Sequence, residues 1–457
     1  MSNSNKWLRK VGVWALWLGL WQALALIVHN DLLLAGPLAV ARRLVELVPT
    51  AQFWSSLALS AVRVALGFAV AYACALVLAW VAARHELVEE LLRPFALVCK
   101  SVPVVCVAVL LIVWVGARRA GAVVVFLVVF PAVYFSALTA WREADERVVG
   151  ALRVQGVPPA RRFLAYVWPH ALSYLEANAQ SVVGMSWKAG IAAELIGMPL
   201  GSVGERIYQA KLLFESADLF AWTIVVMLAS AVCERLFVAL LHASGRWCCG
   251  MAAPERWPDP QPLRFEPGVA SFNGLSFSYD GSPVLERVTQ VFPCGSKTCL
   301  TDDSGAGKTT ALLLLAGLLE PDAGEVVRTP PVSACFQDPL LVEWLSARQN
   351  LALVARDCRS AAWTEALLEE LLDREAWDRP VSELSGGQRR RVALARALVR
   401  PSALLLLDEP FVSLDAEARS AAVRCVRAHL EGRTLIVATH EPDVPALLGA
   451  DALQLVG

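Results

Sequence analysis

Residues 298–319 read TCLTDDSGAGKTTALLLLAGLL. A short β-prone run enters a glycine-rich turn, and an apolar helix follows. The backbone N–H groups of such a turn, with the first turn of the helix, form a cradle for phosphate. In the pattern G-x-x-x-x-G-K-[ST] the lysine reaches the β- and γ-phosphates and the next hydroxyl ligates Mg²⁺. Lys308 and Thr309 take those places, and the cradle comprises Ser304, Gly305, Ala306, Gly307, Lys308, Thr309 and Thr310. Asp302 stands where the pattern has its first glycine, and Asp303 follows it. Two carboxylates here repel a triphosphate unless their side chains turn away. Asp302 also lacks the conformational freedom of glycine in a tight turn.

Two later segments extend the same chemistry. LLLLDEP (404–410) is an apolar run ending in two carboxylates, as a buried parallel strand reads. Asp408 is placed to hold Mg²⁺ and Glu409 to polarise an attacking water as general base. The plain alternative, an acidic turn after a core strand, fails against the order and spacing of the segments. ELSGGQRRRVALARALV (383–399) opens a helix at Ser385-Gly386-Gly387, a second anion site, with Gln388 next in line. That helix runs basic on one face and apolar on the other. Two phosphate sites in one chain imply that two chains clasp a nucleotide between them. From residue 265 onward, short β-rich runs alternate with helical ones, which predicts an α/β fold.

The first half is a different kind of object. Across 457 residues, 56% are hydrophobic and 18% charged. Soluble domains average about 45–50% and about 25%. Disorder, collagen and a disulfide-rich secreted scaffold are excluded. Residues 1–247 carry 21 Lys/Arg against 14 Asp/Glu, and residues 248–457 carry 20 against 28. No concentrated basic stripe marks a nucleic-acid binder. The 11 cysteines include no C-x-x-C pair, so zinc is not expected, and their scatter suits a reducing compartment.

Six apolar runs approach the roughly 20 residues that cross a bilayer: 10–28, 54–82, 94–115, 121–141, 172–197 and 219–241. The first lacks a small-residue cleavage site and ends at Asn30-Asp31, so it is not a signal peptide. Trp7, Trp54, Trp80, Trp141 and Trp222 lie near run ends, where an aromatic belt belongs. With the N-terminus inside, the inner segments hold 11 Lys/Arg and the outer loops 6. That asymmetry returns the C-terminus to the cytosol. The loop 142–170 is long, charged and interrupted by Gly156, Pro158-Pro159 and Pro169. It reads equally as a surface helix pressed on a soluble partner and as a solvated loop. Arg63, Lys100, Glu176, Lys188, Glu194 and Glu234 fall inside apolar runs. Such residues face a bundle interior or an aqueous path. Lys100 and Lys188 are candidates for attracting an anion, and internal pairing, such as Glu194 with Lys188, is the alternative. Residues 243–264 form a Pro-rich boundary.

The ordered motifs resemble those of the ABC (ATP-binding cassette) transporter family, with permease and ATPase fused. Tyr279 sits where that family stacks an aromatic on adenine. Residues 302–310 resemble its Walker A loop except at Asp302, and Gln337 its Q-loop. Leu384-Ser385-Gly386-Gly387-Gln388 resembles the signature, and Asp408-Glu409 the Walker B pair. Ser413-Leu414-Asp415 corresponds to the D-loop, and His440, after TLIVAT, to the switch histidine. In the membrane half, the 142–170 loop, SWKAGIAAELIG (186–197), GSVGERIYQAK (201–211) and ADLFAWT (217–223) resemble binding-protein-dependent importers of the nitrate/sulfonate/taurine type. The family's coupling helix occupies this loop. Its usual Glu-Ala-Ala start reads Gly150-Ala151-Leu152 here, and Gly156 is kept.

The resemblance implies a multi-domain chain. An all-α six-span transmembrane permease domain (1–242) is followed by a linker (243–264) and an α/β P-loop ABC ATPase domain (265–457). It implies ATP and Mg²⁺ as cofactors, catalysis by Glu409, His440 and Gln337, and metal contacts from Thr309, Gln337 and Asp408. Nucleotide contacts fall to Tyr279, the 304–310 loop and the Ser385–Gln388 turn of a second copy. It further implies a homodimer in the inner membrane with a cytoplasmic ATPase and no regulatory C-terminal domain. A separate solute-binding protein would deliver a small solute such as nitrate, an alkanesulfonate, bicarbonate or a thiamine-precursor pyrimidine. Two other readings remain at this stage. Exporters resemble chains with longer helices reaching into the cytosol. A non-hydrolysing regulatory cassette would explain Asp302, against which stand Lys308, Asp408, Glu409, Gln337 and His440.

Overall fold

The computed structural model describes residues 3–28, 30, 32–257, 259–260, 266–303 and 305–455, without the side chains of residues 3–6, 8 and 10. Ser304, Asp31 and linker residues 258 and 261–264 lie outside the described residues, as does residue 265. The chain forms two compact units, Met1–Ala144 with His170–Ser244, and Asp145–Pro169 with Gly245–Gly457.

The chain passes through α1 (Asn3–Val28), α2 (Pro37–Leu47), α3 (Ala51–Ala82), α4 (Glu86–Ser101), α5 (Val104–Val115) and α6 (Ala117–Arg142). It then forms α7 (Glu146–Val154), α8 (Pro159–Arg162) and a π-helical turn at Phe163–Val167. α9 (Trp168–Gly197), α10 (Val203–Leu212) and α11 (Ser216–Ala252) follow. Among the described residues, four helices, α1, α3, α6 and α11, are long and apolar enough to cross a membrane. The expected run 94–115 is a pair, α4 and α5, bent by 105° where Pro103 interrupts it. The run 172–197 lies in α9, a 30-residue helix that also carries Glu176, Lys188 and Glu194.

The first unit is built on the pairing of α3 with α6. Ser56, Ser60, Val64, Gly67, Ala71, Ala75, Ala79 and Ala82 are buried along one stripe of α3. Small residues at this spacing let two backbones approach closely. A Cβ on Gly67 would lie 2.3 Å from the Ala122 carbonyl. Trp222, expected in an interfacial belt, is buried and stacks on Phe53 with centroids 5.2 Å apart.

Glu194 does not pair with Lys188. Six positions on a helix rotate a side chain about 240°, so the two leave on different faces. Glu194 is 2% exposed; its Oε1 accepts from Arg63 Nη1 at 2.9 Å and its Oε2 from Ser60 Oγ at 2.6 Å. Ser60 Oγ in turn accepts the Val203 N–H at 2.9 Å, which ties α10 into the same network. Lys188 and Lys100 are exposed.

The second unit contains β1 (Ala270–Tyr279), β2 (Ser282–Phe292), β3 (Lys297–Leu300), α12 (Lys308–Ala316), β4 (Ala323–Arg328) and β5 (Val332–Cys335). After them come α13 (Ala347–Ala355), α14 (Ala361–Leu371), α15 (Gly386–Val399), β6 (Leu404–Asp408), α16 (Ala416–Ala428), β7 (Thr434–Ala438), α17 (Val444–Leu448) and β8 (Asp451–Leu453). β2-β1-β4 form an antiparallel sheet, and β5-β6-β7-β3-β8 a parallel one. Every residue of β6 and β7 is buried, which is why Leu404–Leu407 and Leu435–Ala438 read as unbroken apolar runs. The α/β expectation for this half is met.

The 145–169 segment packs within this unit. Asp145 caps α7 by accepting the Arg147 N–H at 2.8 Å. Val148, Gly150, Ala151 and Leu152 are buried, and Ala151 belongs to the same core as Leu314, Ala334 and Leu406. Gln155 Nε2 donates to the Ala334 carbonyl at 3.1 Å, and Arg400 Nη1 donates to the Gln155 carbonyl. Gly156 has φ +69°, and a Cβ there would strike the Arg400 guanidinium. Pro169 does not break the chain as expected. It sits at the start of α9 directly after the π turn. Proline cannot donate to the carbonyl four residues back; the Ala165 carbonyl instead accepts from Trp344 Nε1 at 2.9 Å. The segment is therefore a packed element rather than a solvated loop.

Replacing Arg63 with alanine leaves Glu194 buried beside Ser60 without its cation, an arrangement that costs about 3–5 kcal/mol. Thermal denaturation of the detergent-solubilised protein should show a markedly lower midpoint for Arg63→Ala. Glu194→Gln, which keeps hydrogen bonding, should fall less. Equal midpoints for Arg63→Ala and the native chain would contradict this account.

Candidate functional site

The turns that follow β3, β5, β6 and β7 all leave from the carboxyl ends of parallel strands, where open α/β sheets bind ligands. After β3 the loop 301–307 leads into α12. Gly307 caps that helix with φ +84°, and a Cβ there would lie 2.8 Å from Leu285 Cδ2. Both the conformation and the close approach require glycine. Lys308 is buried, and its ammonium donates to the carbonyls of Asp302 and Asp303, the latter at 2.9 Å.

Asp302 turns out of the cradle. Both of its carboxylate oxygens accept the Leu455 N–H at 3.0 Å. Its neighbour Thr301 donates its N–H to the Leu453 carbonyl at 3.0 Å. The backbone at Asp302 lies outside the left-handed region, so this position does not need glycine. The expected repulsion is relieved on this side, because the carboxylate faces the strand end after β8. Asp303 is exposed.

Asp408 ends β6 and is buried. Burial pushes its carboxyl up to about 6, and a hydrogen bond from Thr309 opposes the shift. Asp408 Oδ2 and Glu409 Oε2 are buried without hydrogen-bond partners. A buried carboxylate in this condition calls for a cation. Hydroxyl and carboxylate oxygens are the donors Mg²⁺ takes, so Thr309 and Asp408 fit that ion. Glu409 adopts φ +46°, and its Oε1 lies 2.8 Å from His440 Nδ1. The hydrogen bond to Glu409, reinforced by its charge, raises the pKa of this exposed imidazole.

Lys308, Thr309, Asp408, Glu409 and His440 thus converge at the carboxyl end of the central strands of the sheet. Tyr279, at the end of β1, is exposed and packs edge-on to Phe277 at 4.9 Å. Gln337 is exposed just beyond β5. The turn 385–388 stands apart from the cradle. Ser385 and Gln388 form a capping box on α15, with Gln388 N donating to Ser385 Oγ at 3.3 Å and Ser385 N to Gln388 Oε1 at 3.0 Å. Its near neighbours are in the 413–415 turn; a Cβ on Gly387 would lie 3.2 Å from the Ser413 carbonyl. Ser385 and Gly386 are exposed, with their N–H groups at the open end of the helix.

Two connections were not visible in the motifs. Arg390 Nη1 donates to the Phe336 carbonyl at 3.1 Å, and Arg396 Nη2 to the Leu340 carbonyl at 2.9 Å. Both arginines are buried, and desolvation lowers Arg396 to about 10. They join α15 to the segment around Gln337. On its other side, Asp338 accepts from Arg147 of α7 at 3.0 Å. Arg396, inside the apolar stretch VALARALV (392–399), was the available signal for the link from α15.

The ABC transporter family model matches residues 285–412. The model for the inner membrane component of binding-protein-dependent transport systems matches residues 54–244. An aliphatic sulfonates import ATP-binding protein of Rhizobium johnstonii is 37% identical over 196 residues, covering 40% of this chain and 71% of that protein. A protein of the same description from Nocardia farcinica is 44% identical over 156 residues, covering 34% of this chain and 63% of its own length. A third, from Rhodococcus jostii, is 37% identical over 201 residues, covering 42% of this chain and 80% of that protein.

Asp302→Ala should destabilise the second unit by about 1–3 kcal/mol, the scale of a charge-assisted hydrogen bond. Nucleotide affinity should change by less than about threefold, since the cradle's own donors are untouched. Denaturation midpoints and fluorescent-nucleotide titrations check the two halves of this expectation. A gain in affinity of tenfold or more would mean that the carboxylate acts on phosphate after all.

Proposed function

The chain belongs to the ABC transporter family, a permease and an ATP-hydrolysing cassette in one inner-membrane polypeptide, and from that premise we propose that it imports a small anion handed over by a separate solute-binding protein. The aliphatic sulfonate class is the best-supported cargo, because the relatives above are described as aliphatic sulfonates import ATP-binding proteins. We count six spans by taking bent α4–α5 as one and adding α9, whose Glu194 is neutralised internally by Arg63. The Lys/Arg asymmetry then places the second unit in the cytoplasm.

The observation that carries the reading is the convergence of Lys308, Thr309, Asp408, Glu409 and His440 at the carboxyl end of the central strands, with α7 packed in the same unit. Lys308 would exchange its loop carbonyls for the β- and γ-phosphates of ATP. Thr309 and Asp408 would hold Mg²⁺, with Gln337 at the rim. The ion would neutralise charge on the phosphates. Glu409 orients and deprotonates the attacking water, and His440 holds Glu409 in place through Nδ1. Tyr279 offers a ring for adenine.

Ser385, Gly386, Gly387 and Gln388 start an exposed helix end whose near neighbours lie in the 413–415 turn, which supports their being offered to the nucleotide of a second copy. The proposed working unit is therefore a homodimer with two nucleotides sandwiched between cassettes. Closure of the cassettes shifts the permease population toward an outward-open state. The route is α15, its two arginines, the 336–340 segment, and Asp338 to Arg147 of α7.

ATP hydrolysis by the full chain in lipid nanodiscs tests the motor. Lys308→Ala and Glu409→Gln should each reduce turnover by about 100-fold or more. With ATP and Mg²⁺, Glu409→Gln should accumulate as a dimer in size-exclusion chromatography with light scattering. A monomer under those conditions would sink the homodimer reading while leaving hydrolysis intact. In proteoliposomes supplied with a sulfonate-loaded binding protein, Lys188→Ala should slow uptake with ATP affinity unchanged. Unimpaired uptake would remove that lysine from the anion path.

A further inference from the structure

α14 and α16 pack against each other and against α15, and three unlike donors meet at their ends. Glu370 is the penultimate residue of α14. Cys425 and His429, four positions apart, share one face at the close of α16. One donor atom from each, a carboxylate oxygen, Sγ and a ring nitrogen, lies within 4.8 Å of the other two. His429 Nε2 stands 2.9 Å from Glu370 Oε1, so the imidazole is already turned toward the cluster. Cys425 is 1% exposed and forms the floor, His429 is half-buried and Glu370 lies open to solvent. The Trp363 ring stands edge-on to the imidazole at 5.4 Å and walls one side.

We propose that Glu370, Cys425 and His429 form a binding site for a transition-metal cation of the Zn²⁺ class, outside the nucleotide site. The donor set decides the class. Thiolate and imidazole are ligands of Zn²⁺ and its neighbours, whereas Mg²⁺ and Ca²⁺ take oxygen alone. Ligands at about 2.0–2.3 Å around a tetrahedral ion stand some 3–4 Å apart, within the spread found here. Three protein ligands leave the fourth position for water, on the side where Glu370 is exposed. On binding, the Cys425 thiol loses its proton to solvent. The Nε2–H of His429 faces Glu370 Oε1 in the metal-free chain; on binding, the neutral ring passes to its Nδ1–H tautomer and offers the Nε2 lone pair, and Glu370 binds as carboxylate. A divalent ion with one thiolate and one carboxylate is neutral, which suits a half-buried site. Without metal, burial together with the Glu370 carboxylate holds the thiol above its usual range. Metal uptake at neutral pH should therefore release about one proton per ion.

The sequence holds no C-x-x-C pair. This site takes two ligands from C-x-x-x-H on one helix and its third from a residue 55 positions earlier, since Cys425 and Glu370 are that far apart. The bound ion would clip α14, which packs on the signature helix α15, to α16 that follows the 413–415 turn.

The test uses the tag-free full chain in nanodiscs, stripped with chelator and titrated with Co²⁺ and then Zn²⁺. The expected result is one Co²⁺ per chain with a thiolate-to-cobalt charge-transfer band that Zn²⁺ abolishes. Cys425→Ser should lack the band and bind about 100-fold or more weakly. Glu370→Gln, at the exposed rim where folding is not at risk, should keep the band and bind about tenfold more weakly. Zn²⁺ should raise the melting temperature of the native chain and not of Cys425→Ser. No stoichiometric band in the native chain, or an unchanged band in Cys425→Ser, overturns the proposal. Equal affinity of Glu370→Gln and the native chain removes the three-ligand site as well.

Discussion

Asp408 closes a strand in which every residue is buried, and a carboxylate in that position sets terms for its surroundings. Water cannot solvate it, and the Thr309 hydroxyl satisfies only part of its demand. The sheet therefore holds a standing requirement for positive charge at the carboxyl end of its central strands. Lys308 sits close enough to be felt there, yet its ammonium is engaged by loop carbonyls. Glu409 adds a second negative group and leans on His440. The geometry is strained toward a ligand that brings a cation with it, and a metal–nucleoside triphosphate meets that description. The left-handed backbone at Glu409 belongs to the same economy of position, since it lifts the carboxylate off the strand axis.

What the chain discloses by itself follows the range over which each interaction acts. The phosphate loop, the 404–410 strand and the 385–388 helix start are legible because backbone geometry within a few residues dictates their chemistry. Asp302 was not legible. Its partner Leu455 is 153 residues away, and no local rule says which way the carboxylate turns. Glu194 shows the same limit in the membrane half. The nearest cation in sequence lies on another helix face, and the true partner, Arg63, comes from α3. The apolar runs identified helices, but a Pro-interrupted run became a bent pair and a charged run became a 30-residue helix. Composition reports how greasy a segment is, not its angle to its neighbours.

The arginines of α15 give that helix a second role besides presenting an anion site at its start. Buried guanidinium groups that donate to main-chain carbonyls hold those carbonyls by direction as well as by charge. Arg390 and Arg396 therefore fix the 336–340 backbone to that helix. Asp338 lies in that backbone and takes Arg147 from α7. Each joint in the chain of contacts is a hydrogen bond with one preferred geometry.

The packing of α7 into the second unit has a consequence in time. Gln155 and the Ala334 carbonyl it meets are 179 residues apart in the chain. A ribosome adding about 5–20 residues per second needs roughly 10–35 seconds to travel between them. During that interval Val148, Ala151 and Leu152 have left the exit tunnel and their destination has not been made. A chain that supplies both surfaces to itself must keep the first one sheltered until the second arrives. A two-gene arrangement avoids that wait by synthesising the nucleotide-binding part separately.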